Sequence, residues 1–310
     1  MDNILNLRGS IVALVTPFNE EGNIDYVALD TLIKFHLQNN TDGIVVCGTT
    51  GEASTINDQE YCEIIEFVVK MVNHNIPVIA GSGGNSTAKT LRKSKLAIEN
   101  GADALLVVTP YYNKPNPRGM YEHYKYIAEN VDKPIFLYNV PSRTGSNLSP
   151  ELIIRLADDF NNIVAVKEAS GNLNQFMEII NQRPDGFLVY SGEDALALPM
   201  ISLGADGCIS VAANIVPKEF SKLMHAGLNI EMQLAREIQY KYLNLMNLNF
   251  IESNPIPVKT ALHLMGFIQN EFRLPLAPIS SEQNLKKLKT ELSCLALIDS
   301  EILSANTYQN

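Results

Sequence analysis

The chain has 310 residues, 46% hydrophobic and 19% charged, which supplies a large core and is too apolar for a disordered chain. With 24 Lys and Arg against 34 Asp and Glu the formal charge is -10, which argues against a general attraction to nucleic acid or to an anionic membrane. Four Cys without a CxxC pair make no disulfide scaffold, the opening MDNILNLRGS lacks the basic and apolar regions of a leader, and no run is long enough to span a bilayer; a soluble, cytoplasmic protein is expected.

Along the chain, short apolar runs alternate with longer segments of helical spacing. Run 10–16 precedes a helix over 25–38, set off by the turn signal Glu21-Gly22-Asn23. Run 43–47 precedes 57–72, where Asn57 as cap puts Glu60 at the position of a capping box. Run 77–80 leads to 86–99, which stops at Asn100-Gly101. Runs 104–109, 134–138, 163–167 and 187–190 are followed by helical segments 119–129, 150–158, 173–181 and 195–203, and a last run covers 207–211. These eight runs, spaced as βα units with short loops, are almost continuously apolar, as parallel strands covered on both faces must be. The fold class expected is α/β, a closed (β/α)8 TIM barrel. An open doubly wound sheet fits less well, because eight units exceed its usual six and no GxGxxG follows the first run. Past Val211 the rhythm stops. Residues 217–247, 259–266 and 281–300 read as helices, with a rigid break at Asn254-Pro255-Ile256-Pro257. The division expected is 1–224 for the barrel, 225–300 for an appended helical region and 301–310 for a frayed tail.

Barrels of this kind place chemistry at the C-terminal ends of their strands. Polar residues expected there are Thr16, Thr49, Thr50, Ser82, Tyr111, Tyr112, Tyr138, Asn139, Lys167, Glu168, Ser191, Glu193 and Ser210. Lys167 stands out because it ends an otherwise apolar strand. Partial desolvation favours a neutral amine, able to form a Schiff base with a ketone. A structural ion pair with Glu168 or Glu193 is the other reading open to it. Tyr138, at the end of the neighbouring strand, could move the protons such chemistry needs, or simply cap the core. Gly48-Thr49-Thr50-Gly51-Glu52 offers hydroxyls and N–H groups to a carboxylate or phosphate, or is a tight turn holding Glu52 against the barrel. Arg143 suits a substrate carboxylate, or forms a surface ion pair. The five His sit at no inferred strand top and no HExxH occurs, so no metal is expected.

Beyond these readings, the chain resembles the pyruvate-dependent class I aldolases, the family of the dihydrodipicolinate synthases and N-acetylneuraminate lyases. The likeness covers about 1–295 and rests on GSIVALVTPF (9–18), GTTGE (48–52), IAGSGGNST (79–87), TPYYNKP (109–115), LYNVPSRTG (137–145), VKEASGNL (166–173), YSGED (190–194) and GADGCISVAAN (204–214). The resemblance implies that Lys167 captures pyruvate as an imine, with no other cofactor, and that Tyr138 is the central acid–base group. It implies that Thr49 relays protons, that Thr50 holds the pyruvate carboxylate, and that Gly192 and Ile209 line the pyruvate pocket. Tyr112 matches the tyrosine that completes the relay in a neighbouring subunit, which implies a dimer sharing Tyr112 across its interface, within a tetramer. Arg143 matches the residue that meets the second substrate's carboxylate. GTTGE and Arg143 favour the synthase branch, which condenses pyruvate with L-aspartate-4-semialdehyde at the first committed step of the diaminopimelate and lysine pathway. The alternative is a family member acting on a sugar acid, such as N-acetylneuraminate or a 2-keto-3-deoxy acid.

Family members inhibited by L-lysine bind it at the dimer interface. Asn85 and Tyr111 match that region, but Lys89 stands where sensitive members usually carry Glu, and Asp58 and Tyr61 where they often carry His. A cation facing the ligand's ammonium repels it, so weak or absent lysine feedback is expected.

Overall fold

The computed structural model describes residues 2–299. Eight parallel strands, β1 (Gly9–Ala13), β2 (Gly43–Val46), β3 (Val78–Gly81), β4 (Ala104–Val108), β5 (Ile135–Asn139), β6 (Ile163–Glu168), β7 (Leu188–Ser191) and β8 (Gly207–Ser210), pair in sequence order and close between β8 and β1. The expected barrel is therefore present, with each apolar run supplying one strand. β1 stops at Ala13 rather than at residue 16, because the Asn214 side chain takes over its next ladder positions: the Val15 N–H donates to Asn214 Oδ1 (3.1 Å) and Asn214 Nδ2 donates to the Ala13 carbonyl (2.9 Å).

The period of two along each strand divides the core. Ile11, Ala13, Val45, Leu106, Phe136 and Tyr190 belong to the cluster inside the barrel. Val12, Ile44, Val46, Leu105, Leu137 and Val189 pack outward under the helices. On β6 the pattern is adjusted by a bulge. Ile135 pairs with Ile163 but Phe136 pairs with Ala165, leaving Val164 as the extra residue. From there Ala165 points in and Val166 out, which sets the facing of Lys167 and Glu168. At the opposite end, Ile4 and Leu7 plug the barrel floor, and the Tyr190 hydroxyl donates to the Leu7 carbonyl (2.7 Å).

The helices follow the expected rhythm. Asn57 and Glu60 form the capping box of Asp58–Val72, and Asp25, Asn116, Ser149 and Asn172 cap their helices with side-chain oxygens. The segment after β7 is a 3-10 turn, Asp194–Leu196, followed by the helix Ala197–Ser202. The helix of the eighth unit, Pro217–Leu228, continues through residue 224, past the limit expected for the barrel. Beyond it lie Met232–Leu248, Ile256–Leu264 and Glu282–Cys294; the last ends short of the expected residue 300. The tail expected at 301–310 lies outside the described residues. No described helix is long and apolar enough to cross a membrane.

Candidate active site

Lys167 lies inside the barrel at the C-terminal mouth, 5% exposed, and its neighbours in register are Tyr138 on β5 and Tyr190 on β7. Its Nζ stands 4.6 Å from the centre of the Tyr138 ring. Gly192, just after β7, packs against it: a Cβ there would fall 3.0 Å from Lys167 Cε and 2.5 Å from the Ala169 Cβ. The lysine stem thus runs through a slot that only glycine leaves open.

The ion-pair reading of Lys167 is not supported, since among the described residues no carboxylate pairs with it. Glu168 faces outward, where its carboxylate accepts from Ser170 N–H (2.7 Å), Asn139 Nδ2 (3.0 Å) and Gln175 Nε2 (3.1 Å). Asp194 is buried and accepts from the Ala212 N–H (2.8 Å) and the Val211 N–H (3.2 Å). Burial raises its pKa, and bonds from Ser210 and these amides, with the Lys167 charge, partly offset the rise. Glu193 is also held above the usual carboxylate range, first by burial and then by the Asp194 and Glu168 charges.

The loop after β2 brings Thr49 and Thr50 to the same cavity. It is anchored by Glu52, as the tight-turn reading required. Glu52 and Lys259 form an ion pair of 2.5 Å with both side chains fully buried, and Lys259 is enclosed by the Phe18 and Phe272 rings. Burial lowers the Lys259 pKa against the opposing pull of Glu52. Glu52 also accepts the Arg273 N–H (3.2 Å), whose guanidinium forms a fork with Glu60 (2.8 and 2.5 Å). Thr16, expected at the mouth, donates to the Gly51 carbonyl (2.8 Å) and serves the same anchoring.

Arg143 belongs to a short helix, Pro141–Thr144, that ends on Gly145 in a left-handed conformation (φ +65°). It reaches the cavity and donates to the Asn254 carbonyl (3.2 Å). That carbonyl comes from a wall the sequence reading missed: Met246, Asn247, Phe250, Glu252, Ser253 and Asn254 close one side of the mouth. Asn254 also donates to Thr50 Oγ1 (3.0 Å). The Asn254-Pro255-Ile256-Pro257 break was visible in the sequence, but nothing in it shows where the segment docks. The resulting cavity, about 740 Å³, gathers Thr49, Thr50, Tyr138, Arg143, Lys167, Gly192 and Glu193.

Other expected residues lie elsewhere. Ile209 is fully buried in the barrel interior and does not line the cavity. Ser82 accepts from Ser94 (2.9 Å), and Asn139 belongs to the outer Glu168 network. Tyr112 is 89% exposed, with a left-handed backbone (φ +73°), and touches neither this cavity nor its neighbour. Tyr111 lines that neighbouring cavity, about 310 Å³, together with Lys93 and Thr49. Near it, Asp58 pairs with Arg92, the Asn85 carbonyl accepts from Asn113 (2.9 Å), and Lys89 is exposed. Tyr61 is fully buried beneath Lys93, whose Nζ lies 4.5 Å from the ring centre, so it presents no side chain at the surface. His36 and His123 are core residues bonded to Thr41 and Thr87, and burial lowers their pKa to about 3 and about 4. Among the described residues no cluster of His, Cys, Asp and Glu is arranged to hold a metal.

Comparison with known proteins points in one direction. The dihydrodipicolinate synthetase family model matches residues 6–294. The chain is 50% identical over 292 residues to a 4-hydroxy-tetrahydrodipicolinate synthase of Chlorobium phaeobacteroides, covering 94% of this chain and 98% of that one. It is similar to the crystal structure of dihydrodipicolinate synthase from Aquifex aeolicus, with a TM-score of 0.91 and 49% identity over 94% of this chain and 98% of that one. It is similar, too, to the chloride-inhibited dihydrodipicolinate synthase of Acinetobacter baumannii in complex with pyruvate, with a TM-score of 0.92 and 45% identity over 94% of this chain and all of that one (100%).

Proposed function

Because the chain belongs to the dihydrodipicolinate synthetase family, we propose that it condenses pyruvate with L-aspartate-4-semialdehyde to give 4-hydroxy-tetrahydrodipicolinate, the first committed step towards diaminopimelate and lysine. It is a lyase working through a Schiff base, with no cofactor beyond the imine formed on its own lysine. The observation that carries this reading is the Lys167 amine, inside the barrel mouth, unpaired by any described carboxylate and 4.6 Å from the Tyr138 ring.

The Lys167 amine attacks the pyruvate C2 carbonyl, and loss of one water leaves a cationic imine. That imine is the electron sink that lets the methyl group release a proton and become an enamine. The enamine carbon attacks the aldehyde, whose oxygen takes up a proton. The amine of the new chain then adds to the imine carbon and expels Lys167, closing the ring; the balance is one water per turnover. Tyr138 exchanges protons in these steps, Thr49 relays them and Thr50 holds the keto-acid carboxylate. Gly192 keeps the lysine slot open, and Arg143 receives the second substrate's carboxylate.

The exposure of Tyr112 and its absence from the lining of its own cavity support a role in a partner's site, within a dimer and then a tetramer. Lys89 and Lys93 leave the region around Tyr111 cationic once Arg92 is paired with Asp58, which supports weak or absent feedback by L-lysine. Half-inhibition below about 1 mM would contradict that part. Four cysteines without disulfides suit the cytoplasm. The activity is tested by turnover of pyruvate with aspartate semialdehyde beside pyruvate with N-acetylmannosamine. The first pair is expected to react; preference for the second would assign the chain to the sugar-acid branch.

A further inference from the structure

We propose that Glu193 is a specificity-determining residue that receives the ammonium group of the aldehyde substrate while Arg143 receives its carboxylate. The inference rests on the reaction given above and names how its second substrate is recognised. Four acids in or beside the cavity are already committed to protein donors: Glu168 to Asn139, Gln175 and Ser170, Asp194 to two backbone amides, Glu52 to Lys259, and Glu252 to Asn284 and the Ser280 and Ser281 amides. Among the described residues lining the cavity, Glu193 alone has a carboxylate with no donor.

The backbone that carries that carboxylate is held at the mouth. The Glu193 N–H donates to Ser191 Oγ (3.1 Å) and the same hydroxyl donates back to the Glu193 carbonyl (2.8 Å). Its two oxygens lie 3.8 and 4.0 Å from where a Cβ on Gly171 would stand, over the loop that follows β6. Arg143 follows β5, Lys167 ends β6 and Glu193 follows β7, so the amine lies on the strand between an anion and a cation. An amino acid whose ammonium and carboxylate meet Glu193 and Arg143 is held across Lys167, with its aldehyde presented to the enamine. The half-buried, donorless carboxylate is costly in the free enzyme, and a charged donor from the substrate removes that cost.

The test compares wild type and Glu193→Gln with aspartate semialdehyde as substrate and succinate semialdehyde, the same aldehyde acid without the amine, as competitor. Loss of one charge-assisted hydrogen bond should raise KM for the amino aldehyde about 10–100-fold and leave Ki for the deamino compound within about twofold. Borohydride trapping of pyruvate on Lys167 should persist in the variant, and Glu193→Asp should recover part of the loss. In wild type alone, the deamino aldehyde should bind more weakly than the substrate by the same factor, a comparison that does not depend on the variant folding. Unchanged KM, or parallel weakening of both aldehydes, would overturn the assignment. A wild type that traps pyruvate but never turns over aspartate semialdehyde would remove the proposed reaction, and this inference with it.

Discussion

Replacing Gly192 by Ala tests the lysine slot directly. The added methyl group would lie 3.0 Å from Lys167 Cε, 3.2 Å from Lys167 Cγ and 2.5 Å from the Ala169 Cβ. Ala169 cannot retreat easily, since its N–H is bonded to the Asn139 carbonyl (2.9 Å), and Gly192 itself is tied to the Glu168 carbonyl (2.7 Å). The lysine stem must therefore shift, and a displacement of about 1 Å at its amine costs about 100-fold in rate. Overpacking should also cost about 1–3 kcal/mol of stability. The assay is the rate of borohydride-trapped imine formation with pyruvate, read beside a melting curve. Gly186→Ala is the control: its backbone is left-handed (φ +82°) and nothing lies within 4 Å of the new Cβ, so it strains the chain without touching the site. A Gly192→Ala enzyme that forms the imine at the wild-type rate would refute the steric argument.

Tyr138→Phe should lower kcat by about 10²–10⁴-fold while pyruvate still binds, as steady-state kinetics would show. Lys259→Met leaves Glu52 buried without its partner and should cost about 3–5 kcal/mol in denaturant unfolding, whereas Lys259→Met with Glu52→Leu should recover much of it. The two core histidines set an acid limit. His36 and His123 stay neutral in the folded protein down to about 3 and about 4, against 6.5 for the free group. Below pH 6.5 the unfolded chain therefore binds protons that the folded one does not, and stability falls as pH drops, by about 1.4 kcal/mol per pH unit for each group. His36→Gln should flatten that slope in urea unfolding between pH 6 and about 4.5; an unchanged slope would show that other groups cause it.

Much of the architecture was legible because parallel strands buried on both faces leave a plain trace, an apolar run at regular intervals. Lys167 was legible for the same reason, as a charge ending such a run. Its orientation was not, because the bulge at Val164 shifts the facing of everything after it. The roles of Glu52 and Thr50 depend on Lys259 and Asn254, more than 200 residues away (separations of 207 and 204), and no local pattern reports such pairings. The Met246–Asn254 wall escaped notice for that reason: helical spacing shows that a helix forms, not where its end is laid. The Tyr61 ring shows the converse limit. A residue placed by resemblance at an interface is buried here, because its phenyl group is enclosed by the core of Asp58–Val72 and covered by Lys93.

The central claim is a nucleophilic amine at residue 167. Incubation with pyruvate and borohydride, followed by peptide mass analysis, tests it most directly. A single reduced carboxyethyl group on Lys167, lost in Lys167→Ala, is the predicted result. Absence of the adduct, or its appearance on another lysine, would contradict the account.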